Sequence, residues 1–220
     1  VAREHQMTQK RSCWPRVRIG EVCALIVDCI NKTAPTTNRL TPYKMVRTSN
    51  VRSGRVDLTE VKYVSEPVFR KWTRRGQPRI GDIILTREAP LGEVGMLRST
   101  EKVFLGQRLV MYRADNAKLD NRFLLYSFLG DDLQAQIKSF GSGATVEHMR
   151  VPDCENLTIL LPPLQTQRKI ATILSAYDDL IEDNLQRIRI LEEMAQAIYR
   201  EWFVHFRFPG HESVKMVESR

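Results

Sequence analysis

The side chains that could carry out catalysis in this chain are few, and their spacing assembles no catalytic site. The four cysteines form no C-x-x-C pair, and no histidine lies at a zinc-ligand spacing from them. The glycine-rich stretch 140–145 lacks the Gly-Lys-Ser/Thr ending of a phosphate-binding loop. The acidic cluster within 178–183 would suit a metal ion, but on a helix it flanks an apolar stripe, which favours a solvated face. We therefore expect free thiols, no metal site and no enzyme.

The sequence indicates a binding function more clearly than a catalytic one, because the basic side chains are concentrated in one part of the chain. The whole sequence has a net charge of +8, and residues 39–113 alone hold 16 basic and 7 acidic side chains. Residues 164–220 are near neutral, with 8 basic and 9 acidic side chains. This asymmetry favours a polyanionic partner for the first part only. The alternative is a solvated surface that is basic without a binding role.

The elements that must position these basic side chains form a mixed α+β domain over residues 14–163. Residues 66–75 and 121–139 have helical patterns. Strands are predicted on both sides of the turn 52–55 and at five later apolar runs, near residues 83–86, 94–97, 103–105, 109–112 and 157–161.

The first residues and the overall hydropathy predict a location for the protein. Residues 1–13 are polar, lack the apolar stretch of a secretory signal, and are expected to form a disordered lead. No run approaches the 18 apolar residues of a membrane span. We therefore expect a cytoplasmic protein.

The last third of the chain carries a long amphipathic pattern. It predicts one helix over 164–208, followed by a polar tail at 209–220. Asn184 lies in the one seven-residue gap of the pattern, where it either fixes the register of a helix pair or faces solvent, with Leu185 on the seam instead. Such a seam requires a partner helix. Its apolar side chains recur at alternating steps of three and four residues: Ile170, Leu174, Tyr177, Ile181, Ile188, Leu191, Ala195, Ile198 and Trp202.

Five short motifs, taken in their order along the chain, resemble one known family. The motifs are RTSNV at 47–51, GDIILTREAPLG at 81–92, FGSGAT at 140–145, PLQTQRKIATILSAYD at 163–178 and REWFVHFRFPGHE at 200–212. With these motifs, the chain resembles the specificity subunit of type I restriction-modification systems over about residues 14–215. The first three resemble the framework of a target recognition domain, and the last two resemble the entry and exit of a spacer helix.

The resemblance implies a function and a set of partners. A complete subunit of this family has two target recognition domains held apart by two antiparallel helices, and each domain recognises one half of a split DNA sequence. It performs no catalysis and binds no cofactor itself. It carries methyltransferase subunits that use S-adenosylmethionine and restriction subunits driven by ATP with Mg²⁺.

The resemblance also indicates which side chains would contact DNA. Basic side chains of such a domain position it on phosphates, while a few others recognise base edges in the major groove. For every candidate a surface or framework role is the alternative, and for Arg87 that role is to hold the segment 81–92. The candidates lie in or near loops of the basic domain: Arg47, Ser49, Asn50, Arg52, Arg55, Arg74, Arg75, Arg79, Arg87, Ser142 and Thr145.

This chain differs from a complete subunit because it has one such domain and one such helix. It corresponds either to a half-sized subunit that forms an antiparallel homodimer or to the N-terminal half of a longer subunit. A helix over 165–206 would span ~63 Å at ~1.5 Å per residue. At ~3.4 Å per base pair, that length separates two recognition domains by at most ~18 base pairs. A homodimer would recognise an interrupted palindrome.

Two other classes of protein remain compatible with the sequence. The chain could be the recognition fragment of a fused DNA methyltransferase or nuclease, which would transfer methyl groups or cut DNA without other subunits. It could also be a coiled-coil adaptor without a DNA role, although the charge of residues 39–113 disfavours that class.

Overall fold

The computed structural model describes residues 14–141 and 148–215. Its first compact unit ends at Thr172, and its second begins at Ile173. The predicted lead over residues 1–13 and the two candidates Ser142 and Thr145 lie outside the described residues.

A six-stranded sheet forms the centre of the first unit. Its strands are Cys23–Asp28 (β2), Val51–Arg52 (β4), Gly54–Val56 (β5), Ile83–Arg87 (β7), Leu91–Met96 (β8) and Leu109–Ala114 (β10). Their order across the sheet is β2–β10–β7–β8–β5–β4. Every residue of β7 is buried, as expected for a strand that is covered on both faces of its sheet.

Two smaller sheets flank the central one. In the three-stranded sheet, β3 (Tyr43–Val46) lies between β6 (Lys62–Tyr63) and β9 (Lys102–Leu105), and it pairs in parallel with β9. The other small sheet joins β1 (Arg16–Arg18) to β11 (Thr158–Leu160), which brings the two ends of the first unit together.

The helices of the first unit are short. They are Ile19–Val22 (α1), Glu66–Trp72 (α2), Asn121–Leu129 (α3), Asp131–Gly141 (α4) and Val151–Asn156 (α5). The pattern over 121–139 predicts one helix, whereas the structure contains two. Gly130 has an extended backbone, with φ −77° and ψ 153°, and ends α3. Glycine has the lowest helix propensity of all residues except proline. Ending the helix at Gly130 therefore costs little free energy.

The core is built from the alternation of side chains along the central strands. Ile83 and Leu85 point to one face, where they pack with Phe128 and the other apolar residues of α3 and α4. Ile84 points to the opposite face, where it packs with Val46 of β3 and the apolar residues of β9. This period of two is the direct consequence of an extended backbone, and it places a helical layer on one face and the small sheet on the other.

The β4–β5 connection confirms the predicted turn at 52–55. Arg52 and Arg55 are paired residues of the two strands. Ser53 and Gly54 between them both have positive φ, 50° and 80°. Two central residues with positive φ define a type I′ turn, the connection that matches the twist of a two-stranded hairpin.

The long helix α6 runs from Leu164 to Tyr199 and is followed by a π-helical turn at Arg200–Val204 and a 3-10 turn at His211–Ser213. Its 36 α-helical residues span about 54 Å at about 1.5 Å per residue. The α-helical part is shorter than the predicted helix because the hydrogen bonding changes to the π type after Tyr199. Within the part of the chain that the structure describes, no helix combines the length and apolar character needed to cross a membrane.

The start of α6 is fixed within the first unit. Gln167 is fully buried, and its side-chain oxygen accepts a hydrogen bond from the backbone N–H of Asp120 at 2.9 Å. Its amide nitrogen donates to the carbonyls of Lys118 at 3.0 Å and Pro162 at 2.8 Å. Because all of these groups are satisfied in place, the first turns of the helix are part of the folded domain.

Candidate nucleic-acid interface

The basic candidates of the first unit form two groups at opposite edges of the central sheet. One group surrounds the β4–β5 hairpin, which forms one edge. The other lies in the segment 73–79 beside β2, the opposite edge, where a β-carbon on Gly76 would lie 3.1 Å from Leu25. Five strand spacings of about 4.8 Å separate the edge strands, a width of about 24 Å. The basic side chains therefore flank the sheet and do not share one pocket.

The first group contains both exposed and buried side chains. Ser49 and Arg52 are exposed, whereas Asn50 is buried. The Asn50 side chain accepts a hydrogen bond from the Arg47 backbone N–H at 2.9 Å and donates to the Glu60 carbonyl at 3.0 Å. Arg47 donates to the same carbonyl at 3.2 Å. These bonds hold the 3-10 turn at Thr48–Asn50, so in this conformation the Asn50 amide is used within the fold.

Arg87 lies inside the domain and is 9% exposed. Its Nη1 donates to the carbonyl of Met149 at 3.1 Å, and the Met149 N–H donates to the Arg87 carbonyl at 3.0 Å. These bonds tie the residues that follow the glycine-rich stretch to the end of β7. The geometry of Arg87 corresponds to its framework alternative, and a contact with DNA would require this segment to move.

The second group lies in the connection between α2 and β7. Arg74, Arg75 and Arg79 are all exposed residues. The Arg75 guanidinium pairs with the Asp28 carboxylate at the end of β2. Arg74 and Arg79 have no side-chain partner among the described residues.

The structure also reveals an ion pair that the sequence does not indicate. Asp82 is 2% exposed, and it accepts hydrogen bonds from Nε and Nη2 of Arg113 at 2.9 and 2.7 Å. Hydrogen bonding of the Arg113 guanidinium to the Asp82 carboxylate is the main cause of the raised pKa of Arg113. The two residues are 31 positions apart, and no local motif joins them, so only the tertiary fold shows the pair.

Two of the described thiols, those of Cys23 and Cys154, are unsuited to nucleophilic chemistry. Cys23, Cys29 and Cys154 are free. Burial raises the pKa of the Cys23 thiol to about 12 and that of the Cys154 thiol to about 11. The thiolate is the nucleophilic form, so at neutral pH both side chains remain protonated and inert. No group of three or more His, Cys, Asp or Glu side chains that could hold a metal ion occurs within 14–141 and 148–215.

The seam of α6 is exposed along most of its length. Ile170 packs partly against the core of the first unit, but from Leu174 onward the large apolar seam residues are between 39% and 65% exposed. Asn184 is also exposed. Leu185, the alternative seam residue, is exposed as well. Three further exposed apolar side chains of the helix lie outside the predicted seam: Ile173, Leu180 and Ile190.

Together, these features define the class of the protein. A mixed α/β domain with exposed arginines at the edges of its central sheet is followed by a long helix with an exposed apolar stripe. The chain belongs to the family described as the type I restriction modification DNA specificity domain, whose sequence model matches residues 12–193. The resemblance that the five motifs predicted is therefore confirmed.

Curated relatives carry the same description. The chain is 28% identical over 143 residues to the type I restriction enzyme MjaIX specificity subunit of Methanocaldococcus jannaschii, covering 65% of this chain and 32% of the relative. It is 26% identical over 160 residues to the MjaVIII specificity subunit of the same organism, covering 70% and 37%. The chain thus spans about a third of the length of these relatives, which are named as specificity subunits and not as catalytic subunits.

Solved structures share the fold. The S subunit of a type I restriction-modification system from M. genitalium superposes with a TM-score of 0.61 at 17% identity, covering 87% of this chain and 46% of that one. The HsdS subunit from Thermoanaerobacter tengcongensis superposes with a TM-score of 0.57 at 21% identity, covering 86% and 49%. The predicted fold class, a mixed α/β domain followed by a long helix, is confirmed.

Proposed function

We propose that this chain is the DNA-recognition part of a type I restriction-modification specificity subunit. In this proposal the first unit binds one half of a bipartite DNA target. The long helix pairs antiparallel with a second helix, which sets the distance to the other half. The observation that carries the proposal is the family match over residues 12–193, because it includes both the domain and most of the helix.

The charge distribution supports DNA as the partner of the first unit. Exposed arginines lie at both edges of a sheet about 24 Å wide, and phosphate contacts by such side chains supply most non-specific DNA affinity. Sequence recognition would come from polar side chains, among which the exposed Ser49 is a suitable hydrogen-bonding group. Ser142 and Thr145, which lie outside the described residues, remain candidates by residue type alone.

The exposed stripe of α6 supports a helical partner. An apolar surface of this length is uncommon on a monomer and marks an interaction site. At about 3.4 Å per base pair, a helix of about 54 Å separates two domains by at most about 16 base pairs. Because the chain spans about half of the solved subunits it resembles, the second helix belongs either to a second copy of this chain or to a longer form of the subunit.

The other proposed partners are the subunits of a type I restriction-modification system. One solved structure that this chain resembles concerns complex assembly and conformational transition of such a system. We propose that this chain likewise directs methyltransferase and restriction subunits to DNA, and that S-adenosylmethionine, ATP and Mg²⁺ are used by those subunits.

A reconstitution experiment tests the proposal. The purified chain is mixed with a type I methyltransferase subunit, S-adenosylmethionine and genomic DNA, and methylated positions are then mapped by sequencing. We expect a single bipartite motif to be methylated only when both proteins are present. Methyl transfer by this chain alone would instead indicate a fused methyltransferase, and the absence of salt-dependent DNA binding would indicate an adaptor.

A further inference from the structure

The connection between α2 and β7, residues 73–82, is held against the domain at several points. The Gly76 N–H donates to the Thr73 carbonyl at 3.0 Å, which closes a turn with Arg74 and Arg75 at its two central positions. Gly76 has no side chain, and a β-carbon there would lie 3.1 Å from Leu25 and 3.6 Å from Met111. The turn is therefore seated directly on the side chains of β2 and β10.

Ion pairing fixes one of the two central arginines. The Arg75 guanidinium pairs with Asp28, the last residue of β2, whose side chain is 22% exposed. A guanidinium that is neutralised by a neighbouring carboxylate has donors left over but contributes little net positive charge to a polyanion. Arg75 is therefore suited to hold the turn on the sheet edge.

The far end of the connection is held by the pair Arg113–Asp82. Besides its two bonds to Asp82, Arg113 donates from Nη2 to the Gln77 carbonyl at 2.9 Å. The Arg79 N–H donates to Asp82 Oδ2 at 2.7 Å, and the Asp82 N–H donates to the Arg79 carbonyl at 3.0 Å. The backbone on both sides of the buried Pro78 is thus fixed by one carboxylate and one guanidinium.

Two arginines remain on the outside of this fixed backbone. Arg74 and Arg79 are exposed, and within the described residues neither guanidinium has a carboxylate or carbonyl partner. Their backbone positions are fixed by the bonds that close the turn and hold Asp82. Two unneutralised cations on a preformed backbone can bind an anion without the entropic cost of ordering a loop.

We infer that residues 73–80 form a preorganised element that binds DNA backbone phosphates through Arg74 and Arg79, while Arg75, Arg113 and their carboxylate partners position it. This inference rests on the proposed function and deepens it, because it divides the basic candidates into contacting and positioning residues. Phosphate contacts carry little sequence information. The element therefore sets affinity and the orientation of the domain, and not the target sequence.

The salt dependence of DNA binding tests the contacting residues. The full chain is titrated with a mixed-sequence duplex at several salt concentrations, and the slope of log affinity against log salt is measured. Each lost phosphate contact lowers the magnitude of this slope by about 0.9. The double variant Arg74→Ala, Arg79→Ala is expected to lower it by about 1.8, so that the loss of affinity between about 50 and 200 mM salt becomes about tenfold smaller. Arg16→Ala is the control for removal of a paired arginine, because Arg16 is already paired with Asp132, and its slope is expected to match that of the unchanged chain.

A charge reversal tests the positioning role of Arg75. Arg75→Asp places two carboxylates together and is expected to weaken DNA binding, whereas the double variant Asp28→Arg, Arg75→Asp restores an ion pair of opposite orientation at the same net charge. We expect this double variant to recover the affinity and the salt slope of the unchanged chain. Thermal unfolding of each variant confirms that the domain remains folded.

Distinct results would overturn the inference and the proposed function. An unaltered slope for the Arg74, Arg79 double variant removes these side chains from the interface, and a charge-reversed pair that stays weak shows that Arg75 itself contacts phosphate. Either result refutes the inference while DNA binding by the unchanged chain still supports the proposed function. If the unchanged chain shows no salt-dependent DNA binding, both are refuted.

Discussion

The two units of this chain differ in where their apolar side chains are buried. In the first unit, the large apolar residues of the central sheet are enclosed by α3 and α4 on one face and by the small sheet on the other. In the second unit, the large apolar seam residues of α6 are between 39% and 65% exposed. Burial of apolar surface is the main favourable contribution to folding. The first unit therefore obtains its stability from its own core, while the exposed seam of α6 leaves apolar surface free for the partner helix that we propose.

The largest effect is expected from substitutions in the seam of α6, which should disrupt the proposed helix pairing and leave the first unit unchanged. Replacing Ile181 and Ile188 by Asp would place two charges on the seam. A homodimer would bury four such carboxylates, and each costs about 3 kcal/mol or more when unpaired, so self-association is expected to weaken by more than about 10⁴-fold. Light scattering is expected to show twice the 25.5 kDa chain mass before the change and the single mass after it.

A charge on the opposite face of α6 serves as the control for this prediction. Gln186→Asp adds a charge on the opposite face of the same helix and is expected to leave the mass unchanged. If the unchanged chain is already a monomer at micromolar concentration, the partner helix is not a second copy, and the longer-subunit form of the proposal is favoured.

The second prediction compares one apolar side chain from each unit. Phe128 is fully buried and lies with its ring centroid 4.9 Å from that of Tyr112. Phe128→Ala is expected to lower the free energy of unfolding of the first unit by about 3 to 5 kcal/mol. Leu191→Ala, at a position that is 62% exposed in the single chain, is expected to leave that free energy unchanged. Denaturant unfolding, followed by a signal from the first unit, measures both.

Alkaline titration of the buried thiols is expected to act on the first unit, since residues 164–220 contain no cysteine. The pKa of Cys154 is raised from 9.0 to about 11 by burial, so the folded state disfavours its thiolate. The contribution of the protonated Cys154 thiol to the free energy of unfolding is fully present below about pH 9, and it is lost as pH rises from about 9 to about 11. Each pH unit in that window is expected to cost about 1.4 kcal/mol.

A cysteine variant isolates this contribution from other alkaline titrations. Cys154→Ala is expected to show a shallower decline of unfolding free energy between about pH 9 and 11 than the unchanged chain. Cys23→Ala is expected to act in the same direction up to about pH 12, because burial raises its thiol pKa to that value. Parallel stability curves for the unchanged chain and Cys154→Ala would contradict the prediction.

The sequence predicted the features that depend on local pattern and missed those that depend on distant partners. The seam of α6 and the turn at 52–55 follow from periodicity and turn chemistry, and both are present. The pairing of Arg75 with Asp28 joins residues that are 47 positions apart. The burial of Asn50 likewise depends on the Glu60 carbonyl. The sequence therefore shows where the basic residues are. Whether the charge of such a residue is free to bind a ligand or is paired with a neighbouring carboxylate depends on tertiary packing.

The smallest expected effect concerns the N-terminal cap of α3, which lies beside the start of α6 within the first unit. Asp120 caps α3: its carboxylate accepts hydrogen bonds from the N–H groups of Arg122 and Phe123, both at 3.0 Å. Asp120→Ala leaves these two N–H groups without that acceptor, and it is expected to lower the free energy of unfolding of the first unit by about 1 kcal/mol. Asp120→Asn keeps an acceptor oxygen and is expected to cost much less, so a chemical denaturation series of the three proteins separates the cap from a charge effect. Because the Asp120 backbone also donates to Gln167 at the start of α6, a loss well above 1 kcal/mol in Asp120→Ala would show that the cap also supports the attachment of the long helix to the domain.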